Sequence, residues 1–85
     1  MDYQRLIDLL GWIGSIELVT AYFLVSYERL LPNSVVYQWM NLTASILLLV
    51  NTAYYGAFPS SFVNVVWGII AIAALYRIIK PKNIS

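Results

Sequence analysis

The chain has 85 residues, 61% of them hydrophobic and 11% charged, with a net charge of +1. That is a membrane composition, since soluble domains are about half apolar and about a quarter charged. The charge is too small for a nucleic-acid footprint. The absence of cysteine and histidine removes disulfides, thiolate metal sites and the usual transition-metal ligands, so neither a metal nor a cofactor is expected.

The first apolar stretch runs from Leu6 to about Tyr27 and contains only Asp8 and Glu17 as charges. It opens "MDYQRLIDLL", with acids where a signal peptide carries a basic region, and its apolar run is too long for one. It therefore reads as a helix, about residues 6–27. Glu17 lies near its middle, where an acid costs about 2.5–3.5 kcal/mol to insert. Such a residue faces protein or a wet cavity, either as a site or pathway group or as a protonated acid serving assembly alone. Gly14, Glu17 and Ala21 share a stripe, with Gly11, Ser15 and Leu18 alongside. Small residues at this spacing let helices approach closely, so the stripe marks the protein-facing side.

The link "ERLLPNS" ends this helix and offers Asn33 or Ser34 as a cap for the next. Its length leaves the second helix freer of the first. The second helix spans about 35–56 and stops at Gly56. On it Asn51 lines up with Ala44, Leu47 and Tyr55, while Asn41, Ser45, Leu48 and Thr52 form a second mild polar stripe. That stripe either lines a path or packs against the third helix.

The four-residue link "AFPS" forces helices two and three into antiparallel contact. Pro59 and a Ser60 or Ser61 cap start helix three, about 61–79. There Asn64, Trp67, Gly68 and Ala71 follow the spacing of one helical face. All three helices approach the ~20 residues needed to cross ~30 Å of hydrocarbon; barrel strands are about half as long. The expectation is an all-α membrane protein of one three-helix transmembrane domain, residues 1–85, with a short tail at 80–85.

The first link and the tail hold Arg29, Arg77, Lys80 and Lys82, against Arg5 alone on the other side. The positive-inside rule then places the N-terminus outside and the C-terminus in the cytoplasm. Tyr3, Tyr27, Tyr37, Trp39, Tyr54, Tyr55 and Tyr76 fall near helix ends, where interfacial aromatics belong.

Asn51 and Asn64 sit at nearly equal distances from the second link, roughly 5–8 Å inside their helices at ~1.5 Å per residue. Two readings stay open. They bond each other across the hairpin, or they form, with Trp67, a band of amides and rings around a central space. An indole one turn from an amide suits a sugar-like or other polar ring. No Ser/His/Asp set, phosphate loop or carboxylate cluster is present, so no catalytic residue is assigned and no enzyme is expected.

Three helices, a short second link, "YYG" closing helix two and "FVNVVW" in helix three resemble the SemiSWEET half-transporters of the PQ-loop superfamily, and small bacterial three-helix proteins of that type, over residues 8–79. The resemblance implies a three-helix bundle working as a parallel homodimer in a bacterial inner membrane. Helix three would lie between helices one and two, with a substrate cavity between the copies. It places Asn64 at the sugar-contacting asparagine and Thr52 at the helix-two pocket tryptophan. The superfamily's Pro-Gln pair is replaced by Leu24-Val25, which removes the proline that permits a hinge. Glu17 matches nothing in that pattern.

The functional expectation is a half-transporter-like protein that binds or passes a small polar solute between two protomers through Asn64, Asn51, Trp67, Glu17, Tyr55 and Thr52. Its partners would be the bilayer, a second copy and the solute. The alternatives are a small structural subunit of a membrane complex, without transport, and a holin-like pore former.

Overall fold

A computed structural model describes residues 2–80; Lys82 and the rest of the expected tail lie outside that range. The fold is all-α: α1 (Tyr3–Ser26), α2 (Val35–Tyr54) and α3 (Phe58–Ile79).

Each boundary has a local cause. Asp2 caps α1, its side chain accepting from the Arg5 amide at 2.9 Å. Ser34, rather than Asn33, caps α2 by accepting from the Tyr37 amide at 3.2 Å. The C-terminal ends of α1 and α2 are closed the same way, by a residue in the left-handed region. After α1 this is Glu28, φ 61°, with Arg29 N–H reaching Leu24 O at 2.7 Å. After α2 it is Gly56, φ 71°, with Ala57 N–H reaching Thr52 O at 2.8 Å. Both are Schellman closures, which satisfy carbonyls the helix leaves free.

The expected serine cap of α3 is not formed. The helix starts three residues earlier, at Phe58, with Pro59 in its first turn and Ala57 at the cap position making no side-chain bond. Proline needs no amide partner there and is already set to helical φ, so it starts the helix without a cap. Ser61 is thereby drawn inside the helix, where its hydroxyl oxygen lies 3.0 Å from Ala57 O.

The three helices form an open layer with α2 in the middle. It packs on α1 and on α3, whereas no Cα of α1 comes within 8 Å of one in α3. Two expectations are corrected here. Helix two is not freed by the longer link, and the central helix is α2, not α3 as the SemiSWEET resemblance implies. The physical reason lies in where the small residues fall. Gly11, Gly14 and Ala21 bury the α1 stripe, Ala44 and Ser45 lie buried on α2, and Ala71 on α3. Alanines 21 and 44 are fully buried, and Gly14 would meet Leu47 Cβ at 3.0 Å if it carried a side chain. Only α2 has small residues toward both neighbours.

Two of the helices, α1 and α3, are long and apolar enough to cross a membrane. α2 does not reach the same measure, because Gln38, Asn41, Thr43, Ser45, Asn51 and Thr52 dilute its apolar run. Those polar groups follow from its position, since the central helix is the one that neighbours can satisfy.

Candidate functional site

The polar side chains of α2 divide between its two neighbours. Toward α1, Asn51 Nδ2 donates to Ile7 O at 3.0 Å, beside Gly11. Glycine at 11 is what admits the amide, since a side chain there would stand 2.7 Å from Asn51 Cγ. One turn outward, the Tyr55 hydroxyl donates to Asp8 Oδ1. The Asp8 carboxylate that accepts this proton raises the Tyr55 phenol above its ordinary range. Deeper, the Thr43 hydroxyl donates to Glu17 Oε2 at 2.6 Å and lies 2.9 Å from Trp39 O. The acid near the middle of α1 thus faces protein, on the small-residue stripe.

Toward α3, Ser61 Oγ donates to Thr52 Oγ1 at 3.0 Å, and Asn64 Nδ2 approaches the same oxygen at 3.5 Å. Thr52 passes its own proton back to Leu48 O at 2.8 Å. Neither reading of the two asparagines describes this arrangement. They do not bond each other, and they do not share a central space. Residues 51 and 52 are neighbours on a helix with ~3.6 residues per turn, so they point about 100° apart. Asn51 is turned to α1 while Thr52 and Asn64 meet on the α3 side.

Of the six expected solute contacts, Asn51, Tyr55 and Glu17 therefore hold α1 to α2, and Thr52 and Asn64 hold α2 to α3. Asn51 also borders a small cavity between α1 and α2, with Asp8, Gly11, Trp12 and Ser15, and Trp67 opens onto a groove. That groove, about 310 Å³, is lined by Leu18, Val19 and Tyr22 of α1, Tyr37 and Asn41 of α2, and Trp67 of α3. Side chains of all three helices surround a common space there.

Asn41 is its polar group. The residue is 7% exposed, and its side-chain amide has no hydrogen-bond partner among the described residues. No buried side-chain nitrogen or oxygen there is sealed without a partner, so the amide reaches open space, which at Asn41 is the groove. The residues of the polar stripe expected on α2 divide. Thr52 bonds Ser61 of α3 and Ser45 packs against Gly68, while Asn41 lines an opening.

Sequence reasoning passed over Thr43 and gave Asp8 and Ser61 no bond between helices. Depth counting could have found the first. Glu17 lies nine residues before the end of α1 and Thr43 eight after the start of α2, which puts them level in an antiparallel pair. Tyr22 and Tyr37 carried no such signal, because their role depends on which helix is central.

A family model matches residues 7–83, and the chain belongs to that family, to which no function is attached. No curated protein and no solved structure matches it.

Proposed function

We propose that this family member is an integral membrane protein whose three helices all cross the bilayer, and that it binds a small polar solute in the cleft formed when two copies pair. The groove carries this reading: it is lined by all three helices and holds Asn41, a mostly buried residue whose side-chain amide bonds no described group and stays accessible from the groove. A second copy laid over the groove would enclose a solute in the symmetric manner of a homodimer. The large apolar side chains exposed along α1 and α3 suit lipid and a partner helix rather than water. With α2 packed between its neighbours and Gln38, Thr43, Ser45, Asn51 and Thr52 each hydrogen-bonded, its lower apolarity is no obstacle to crossing. The excess of cations at one end favours a cytoplasmic position for that end and the C-terminus, in a bacterial inner membrane.

The reading is of binding rather than rocking transport. α1 continues unbroken from Tyr3 to Ser26 through Leu24-Val25, so no hinge is built into it. The assembly-subunit alternative draws support from a different observation. Glu17, Asn51, Thr52, Tyr55 and Asn64 all form bonds between helices of one chain, as helix-joining residues do.

The test is the mass of the protein in nanodiscs, together with its melting temperature against sugars, polyols, amino acids and small acids. A dimer stabilised by one solute class is expected, because a ligand of the folded state raises Tm once its concentration exceeds Kd. A monomer indifferent to every compound would move the assignment to the assembly subunit.

A further inference from the structure

The groove also restricts what it can take. We infer that Asn41, with Trp67 and Tyr37, is the binding site for a small uncharged solute bearing hydroxyl or amide groups on one edge and an apolar CH-rich face. This rests on the solute-binding reading above; it keeps Trp67 but moves the polar contact from Asn51 and Asn64 to Asn41.

The argument starts from Asn41. A primary amide offers two donors and an acceptor, and burying it without a partner is unfavourable. At 7% exposure, bordering the groove and bonded to no described group, its amide has unused hydrogen-bonding capacity there. Its own backbone carbonyl is already taken by Ser45 Oγ at 2.7 Å, which fixes the helix turn from which the amide projects. Around it stand the rings of Tyr22, Tyr37 and Trp67 and the aliphatic groups of Leu18 and Val19. Rings take apolar CH faces, and one amide orients the polar edge; sites for small molecules combine the two in this way.

Charge selects against ions. No Asp, Glu, Lys or Arg lines the groove. A carboxylate or ammonium entering it would lose water and gain no counter-charge, a penalty that a single amide does not offset. The volume, about 310 Å³, limits the occupant to a small molecule. The asparagines at 51 and 64 are spent on Ile7 O and Thr52 Oγ1 and do not reach this space.

The experiment titrates the full-length protein in detergent with neutral monosaccharides and polyols, and with gluconate and glucosamine as charged counterparts, following tryptophan fluorescence and Tm. A neutral compound should bind, with its charged counterpart at least tenfold weaker. Asn41→Leu, close in volume and apolar, should weaken binding at least tenfold. Asn41→Ala and Trp67→Ala should do likewise, with helical circular dichroism and light scattering unchanged for Asn41→Leu. Asn64→Ala should keep affinity within threefold. If a solute binds and Asn64→Ala loses it while Asn41→Leu keeps it, the site lies elsewhere and only this inference falls. If the charged counterparts bind equally well, the ligand class is wrong. If no compound binds and Asn41→Leu shifts the light-scattering mass, Asn41 joins copies, and the solute-binding reading falls with it.

Discussion

A single missing methyl group decides how Asn51 is used. Gly11 leaves the Ile7 carbonyl open, and the amide of Asn51 enters at 3.0 Å. Gly11→Ala should turn that amide away, losing a bond that contributes about 0.6–2 kcal/mol between membrane helices and adding a steric cost of about 1–3 kcal/mol. Gly68→Ala is the control. Its new methyl would rest 3.6 Å from Ser45 Cβ, an ordinary contact, so the change should be neutral or gain up to about 1 kcal/mol in helix propensity. Equilibrium unfolding in mixed micelles reads both. The coupling has its own signature: in an Asn51→Ala background Gly11→Ala should cost clearly less, because the group it collides with is gone. Equal costs in both backgrounds would mean that Gly11 serves helix approach and not the amide. The sequence showed Gly11 on a small-residue stripe and Asn51 as an expensive polar group. It did not show that one exists to admit the other, since that depends on which face of α2 meets α1.

At the scale of the element, the helices were legible because apolar length and boundary residues are local properties. The expected 6–27, 35–56 and 61–79 became Tyr3–Ser26, Val35–Tyr54 and Phe58–Ile79, and the discrepancies sit at ends where capping chemistry decides. Proline at the start of α3 outweighed the serines that followed it. The end of α1 is the instructive case, because the same closure uses glycine at 56 but glutamate at 28. A non-glycine residue in the left-handed region costs about 1–2 kcal/mol. Glu28→Gly should therefore raise stability by about 1 kcal/mol, and Gly56→Ala should lower it by a similar amount, both read as shifts in Tm of the detergent-solubilised protein. No change at Glu28 would indicate that the glutamate gains as much from its surroundings as it loses in backbone strain.

For the whole molecule the order of the helices governs everything above it, and nothing local in the sequence specifies that order. Link lengths allowed α2 or α3 to be central, and the resemblance to half-transporters favoured α3. The small residues on both sides of α2 settle it the other way, which separates Asn51 from Asn64 and leaves Asn41, Tyr37 and Trp67 around the open groove. Disulfides test the order directly, against a background free of native cysteine. A Cβ at Gly14 would lie 3.0 Å from Leu47 Cβ, and one at Gly68 3.6 Å from Ser45 Cβ. Disulfides need about 3.5–4.5 Å, so the second pair fits as built and the first needs a shift of about half an ångström. Oxidised in the membrane, Gly14→Cys/Leu47→Cys and Ser45→Cys/Gly68→Cys should each lose both maleimide-reactive thiols while keeping monomer mobility on a denaturing gel. A bundle with α3 in the centre would still close the second pair but hold the first apart. Free thiols in Gly14→Cys/Leu47→Cys would thus overturn the central position of α2, and with it the groove, because Asn41 and Trp67 would no longer share a space with Tyr22.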